Sequence, residues 1–347
     1  MKRLLADSQL NFLVGINLLV MLCATWLSHG DFVDPYNLQS MAAQVPELAL
    51  LGIGVMLSMI SGNGGIDLSG IALANLAGVA AVTVLAPLVQ PDDSPWLYTS
   101  AFVAVALSVG TLGGMLNGAL IAFVNLTPIL CTLGTQLLFS GITVVLSKGT
   151  SVRVPSAEPL LALGNGQVAG VPVAFIVFAL LALAIGVVLK YSPFGIRLFL
   201  LGTNPKAARY AGIPQHRLLL WTYSLCGLLA GVAGVLIASR NMSVKWDYGR
   251  SYLLIAILIA VMAGVRPEGG YGRMICLFFS ATSLQLLSSM FNFIGVSNFF
   301  RDFAWGLLLL LFLAFSGFRF KTFKLFQSRT GAPSSQTPPA STANPRG

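Results

Sequence analysis

Few residues in this chain could do chemistry, and they are widely spaced. The only histidines are His29 and His216, and neither lies in an expected span with a serine or acid partner, which argues against hydrolysis within a membrane. No Gly-Lys-Ser/Thr occurs, so the phosphate-cradling loop of an ATPase is missing. Cys23, Cys131, Cys226 and Cys276 fall inside apolar tracts with no metal-like spacing, and read as small buried side chains. What remains is a scatter of uncharged polar residues within apolar tracts: Asn75, Asn117, Gln136, Ser140, Gln285, Ser288, Ser289 and Asn292. Amides and hydroxyls suit the passage of a neutral, hydroxylated solute. They serve equally as hydrogen bonds between helices, worth about a kilocalorie or less each. For any single residue the second use is the better reading; as a set they allow a polar lumen. Asp67 is the one acid among these candidates. Either it belongs to a gate or pathway, or it caps the apolar helix that begins beside it, and the free N–H groups there favour the cap. These residue types point to transport without covalent catalysis, metal or redox cofactor.

The elements that must position these residues are legible from where charge is missing. Of 347 residues, 56% are hydrophobic and 9% charged, with a mean hydropathy of +0.83. A soluble domain needs more polar surface than that. Uncharged tracts long enough to span a bilayer recur along the chain, and Asn125-Leu-Thr-Pro128 breaks the longest, 94–147, into two. The pattern predicts an all-α polytopic membrane protein with about ten transmembrane helices, near 9–28, 47–61, 68–90, 97–124, 128–147, 171–190, 218–238, 251–264, 274–297 and 303–318. The chain divides into a transmembrane domain, 1–318, and a Ser/Thr/Pro-rich cytoplasmic tail, 319–347, expected to be disordered. The N-terminus lacks a small-x-small cleavage site and reads as an uncleaved first span.

The net charge of +9 follows from topology and implies no nucleic acid. With both termini cytoplasmic, 14 of the 20 Lys and Arg fall on the cytoplasmic side. The loop 239–251, carrying Arg240, Lys245 and Arg250, fits this least well. Gly-rich turns at 61–69 and 263–272 each follow a short apolar segment. Small residues recur at helical spacing in Gly110, Gly114 and Gly118, and in Gly227, Gly231 and Gly234. Such residues let helices approach closely, and ordinary internal packing explains them better than a dedicated dimer motif.

One polar stretch, the loop 190–217, stands out. Within it Asn204 suits a helix N-cap, Pro205 the first turn and Gly212 the position past the end. A helix here is too short to cross a membrane and must lie along its face. It places Ala207, Ala208 and Ala211 on one side, with Lys206, Arg209 and Tyr210 on the other. Its contact is either lipid headgroups, favoured by the basic residues, or another protein surface, favoured by the small alanine face.

The stretch Phe194-Gly195…Gly202-Thr-Asn-Pro-Lys-Ala-Ala-Arg-Tyr-Ala-Gly-Ile213 resembles the cytoplasmic loop of permease subunits of ribose/xylose/arabinose-type bacterial ABC sugar importers. Gly64-Gly-Ile-Asp-Leu-Ser69 with Ala77-Gly78, Ser224…Gly227-Leu-Leu-Ala-Gly231-Val-Ala-Gly234, Ala238-Ser-Arg240 and the turn 264–272 are also similar, in the same order, over roughly 10–318. Gly70-Ile71 and Arg266-Pro-Glu268 depart from the family's usual residues, which leaves the particular sugar open. The resemblance implies the ABC importer permease fold of the ribose/branched-chain amino acid type, in the bacterial inner membrane. It implies that Asn204, Pro205, Lys206, Ala207, Ala208, Arg209, Ala211, Gly212 and Ile213 form a coupling helix docking on an ATP-binding subunit, where ATP and magnesium would bind. The remaining partners would be a second permease copy or a sister permease, an extracytoplasmic solute-binding protein, and membrane lipid. Asp67, Asn75, Asn117, Gln136, Gln285 and Asn292 are the candidates for pathway or gate. The alternative is an ion-coupled secondary transporter acting alone; it calls for acids or histidines inside spans, which this sequence lacks beyond Asp67.

Overall fold

The computed structural model describes residues 8–329, of which all but a few short strands and turns are helical. The α-helices are α1 Ser8–Leu27, α2 Pro35–Ile60, α3 Gly70–Leu85, α4 Pro95–Phe123, α5 Pro128–Ser147, α6 Glu158–Asn165, α7 Val173–Tyr191, α8 Pro193–Thr203, α9 Pro205–Tyr210, α10 Gln215–Asn241, α11 Tyr252–Met262, α12 Met274–Phe293 and α13 Asn298–Arg329. All ten expected spans have a helix, and seven helices among the described residues are long and apolar enough to cross a membrane. Large apolar side chains such as Leu112, Leu130, Leu137, Leu180 and Leu183 point outward and are exposed, the surface that lipid covers.

Two expectations are corrected. The second span is 26 residues long, because Asp34 Oδ1 accepts the Tyr36 N–H at 2.8 Å and Pro35 opens the helix well before the uncharged tract. The last helix runs past 318 to Arg329, and the rest of the expected tail, 330–347, lies outside the described residues. Cys23 is exposed, whereas Cys131, Cys226 and Cys276 are buried as expected.

The glycine pattern resolves into packing within the chain. A Cβ on Gly114 would lie 2.2 Å from the Tyr223 carbonyl oxygen, and one on Gly227 2.2 Å from that of Gly110, so α4 and α10 meet backbone to backbone. Gly234 approaches the Ala74 carbonyl of α3 in the same way. In lipid, such contact is what holds helices together.

At one end of this bundle the connections 148–172 and 242–251 are joined by an antiparallel pair, β1 Val152–Arg153 with β4 Ser243–Val244. A small hairpin, β2 Gln167–Val168 with β3 Val171–Pro172, completes that end. At the other end lie α8, α9 and the two Gly-rich turns.

Candidate coupling helix and bundle centre

The loop after α7 folds as its sequence requires. Ser192 caps α8, accepting the Gly195 N–H at 3.2 Å. Asn204 then ends α8 and caps α9, its Oδ1 accepting the Ala207 N–H at 3.0 Å. Gly212, at φ +73°, turns the chain out of α9, and Gln215 Nε2 donates back to the Pro205 carbonyl at 2.6 Å. His216, at the start of α10, donates from Nδ1 to the Ala122 carbonyl and stacks on Phe123, pinning α10 to the end of α4.

The facial expectation for α9 is reversed at one residue. Ala208 is only 3% exposed and packs into the chain's own core, with Ile213 half-buried beside it. Pro205, Lys206, Ala207, Arg209, Ala211 and Gly212 are exposed. Tyr210, at 93% exposure, projects furthest. Ala208 therefore seats α9 on the bundle, and the exposed side chains of α9 include the aromatic Tyr210 and the cations Lys206 and Arg209.

A second feature occupies the bundle centre. Helices α3 and α11 have 16 and 11 residues, about 24 and 16 Å, less than the hydrocarbon thickness of a bilayer. Their first residues, Gly70–Ile71 and Tyr252–Leu253, line one small cavity of about 20 Å³ together with Leu51, Gly54 and Val55 of α2, Asp67 and Cys226. Segment 62–69 thus doubles back along α2 before α3 begins: the Asp67 N–H donates to Ser58 Oγ at 3.0 Å, and Thr132 Oγ1 to the Ile66 carbonyl at 3.0 Å. Two interrupted helices meeting at the middle of a bundle is the arrangement that transporters use to place polar backbone at a pathway.

Asp67 is buried, and its Oδ1 accepts both the Ser69 N–H at 2.9 Å and the Ser69 hydroxyl at 2.7 Å. That closes a turn just ahead of α3, whose N-cap residue, Ser69, makes no side-chain cap hydrogen bond to the helix. Asn117 Nδ2 donates to Ser69 Oγ at 2.8 Å, so Asp67 and Asn117 are brought together through Ser69. The other candidates are dispersed. Asn75 donates to the Trp246 and Tyr248 carbonyls at 3.3 and 2.9 Å, fastening α3 to the loop before α11. Gln285 donates to Gln44 at 3.3 Å, joining α12 to α2. Asn292 accepts from Arg301 at 2.7 Å near an exposed chain turn, and Gln136 is half-buried on α5.

Sequence reasoning missed Glu47, so the absence of a further acid in the spans is corrected here. It lies inside α2, 1% exposed, with Oε1 at 2.9 Å from Arg240 Nε and Oε2 accepting the Tyr248 hydroxyl at 3.0 Å. The Tyr248 and Tyr252 hydroxyls are 3.5 Å apart. The signal available was the one basic loop that fitted the topology poorly: its first cation, Arg240, is the partner of this acid.

The family described as branched-chain amino acid transport system / permease component matches residues 37–313. This chain belongs to that family. The Bacillus subtilis ribose import permease protein RbsC is 30% identical over 299 residues, 86% of this chain and 89% of that one. The Escherichia coli K12 ribose permease RbsC is 30% identical over 82% of this chain and 87% of that one. The autoinducer 2 import system permease protein LsrD of Photorhabdus temperata is 30% identical over 71% and 73%. Among solved structures, an ABC transporter in an inward-facing conformation aligns with a TM-score of 0.46 at 16% identity, over 81% of this chain and 90% of that one. The chain is therefore a multi-span permease component of a transport system.

Proposed function

We propose that this permease imports a ribose-like sugar, or a similar small hydroxylated solute, across a bacterial inner membrane, supplying half of the pathway. A second copy or a sister permease supplies the other half. The α9 end faces the cytoplasm, where two ATP-binding subunits hold ATP and magnesium. The opposite end, built from 148–172 and 242–251, receives cargo from an extracytoplasmic solute-binding protein. The chain of relatives supports a sugar, since those 30% identical and aligned over most of their length carry ribose and autoinducer-2 import names.

The observation that carries the reading is α9: a capped helix seated by Ala208 that exposes Tyr210 together with the cations Lys206 and Arg209. An exposed aromatic accompanied by cations suits an apolar groove with an acidic rim, and in protein interfaces such residues carry most of the binding energy. Anchoring on lipid would bury apolar bulk along the whole helix, and α9 offers only one such side chain. Purification of the tagged permease with its ATP-binding subunit, with and without Tyr210→Ala, tests this. Loss of most of the bound subunit in the variant is expected; undiminished co-purification, or none with the unaltered chain, refutes the docking role.

A further inference from the structure

We infer that Gly62, Gly202 and Gly269 form the joint through which movement of α9 enters the bundle, with Gly202 positioning α9 against the ends of the central helices. The inference rests on α9 being the docking element proposed above. Gly202 lies in the last turn of α8, two residues before the α9 cap. Its backbone sits directly over a hydrogen bond between two other segments: the Gly270 N–H donates to the Ile60 carbonyl at 3.0 Å. A Cβ added at Gly202 would fall 1.9 Å from that oxygen and 2.5 Å from that nitrogen.

The other two glycines close the triangle. A Cβ on Gly62 would lie 2.8 Å from Gly202 Cα and 3.3 Å from the Glu268 carbonyl. One on Gly269 would lie 2.4 Å from Gly62 Cα and 2.8 Å from the Gly202 carbonyl. Both residues have positive φ, +81° and +97°, so a side chain is opposed there by conformation as well as by space. A second backbone bond, Gly64 N–H to the Pro267 carbonyl at 3.2 Å, ties the same two turns.

Three segments far apart in sequence therefore touch backbone to backbone, with no flexible side chain between them to absorb displacement. One is the end of α2, one the turn from α11 to α12, and one the end of α8. A packed contact of this kind moves as a unit or breaks. A pull on α9 acts at once on α2 and on the turn joining α11 to α12. The first two of these helices, α2 and α11, also line the central cavity. The joint thus connects the docking face to the place where the interrupted helices meet.

The test uses the whole transporter in proteoliposomes. Gly202→Ala is expected to keep its ATP-binding subunit and its basal ATP hydrolysis, while solute moved per ATP falls about tenfold or more. Gly134→Ala, whose Cβ meets nothing within 4 Å, is expected to leave that ratio unchanged. A normal ratio in an assembled Gly202→Ala transporter overturns the inference, whereas failure of the unaltered chain to bind the subunit overturns the docking reading instead. Should Gly202→Ala not assemble, spin labels decide. With exposed Cys23 replaced by Ala, labels at Leu200→Cys and Glu268→Cys are expected to keep one spacing with and without vanadate-trapped nucleotide. Labels at Leu200→Cys and Leu137→Cys are expected to change theirs. A shift between 200 and 268 as large as that between 200 and 137 overturns the joint.

Discussion

Removing the Arg240 guanidinium should damage the fold more than removing the Glu47 charge, although both substitutions break one ion pair. In Arg240→Met the Glu47 carboxylate stays in place with its side chain 2% exposed, left with tyrosine hydroxyls and no cation. An uncompensated buried charge of this kind costs about 3–5 kcal/mol. In Glu47→Gln the amide still accepts from Tyr248, and Arg240, with 22% of its side chain exposed, retains access to solvent. Loss of that partner costs about 1–3 kcal/mol. Replacing both together removes the pair without orphaning either charge, and such exchanges are often close to neutral. The double variant should therefore lie several kcal/mol nearer the unaltered chain than the sum of the singles, a coupling expected of residues in contact. Thermal unfolding in lipid nanodiscs reads this as the largest fall in melting temperature for Arg240→Met, a smaller one for Glu47→Gln, and partial recovery in the double. Equal falls in the two singles, or effects that simply add, would refute the burial argument.

Close packing of α4 on α10 predicts that Gly114→Ala destabilises by about 1–3 kcal/mol, since its Cβ meets the Tyr223 carbonyl. Gly141→Ala, facing open space on α5, is neutral or stabilises by up to about 1 kcal/mol; melting temperatures of the two variants check both. Asn204→Ala removes the α9 cap, worth about 1 kcal/mol, and should reduce bound ATP-binding subunit several-fold, whereas Asn204→Asp keeps the acceptor and the subunit; quantitative pull-down separates them. If Asp67 acts by closing the turn ahead of α3, Asp67→Asn preserves an acceptor for Ser69 and solute uptake with it, while Asp67→Leu loses uptake; abolition by both would assign the charge a direct role.

The spans were legible because absence of charge over about twenty residues has few other causes. The same rule shortened α2, since it stops at Glu47, and that acid is tolerated only because Arg240, distant in sequence, neutralises it. The α9 cap was legible from Asn204, Pro205 and Gly212, each acting on its immediate neighbours. Which face of α9 is free was not, because Ala208 joins the buried core cluster through the way α9 folds back on α8, which the residues of α9 alone do not specify. The interrupted helices were hidden for a related reason. A stretch such as 62–69 looks like a surface turn until Ser58 and Thr132 satisfy its backbone within the bundle. Likewise nothing local to Gly62, Gly202 or Gly269 indicates that the three meet.

Uptake in proteoliposomes shows whether this permease moves solute with an ATP-binding subunit or alone. The permease, an ATP-binding subunit and a solute-binding protein loaded with labelled ribose are reconstituted with ATP on the α9 side. Accumulation is expected to need ATP and both partners and to fall sharply with Tyr210→Ala. Accumulation by the permease alone, driven by a proton or sodium gradient without ATP, would contradict the proposed function.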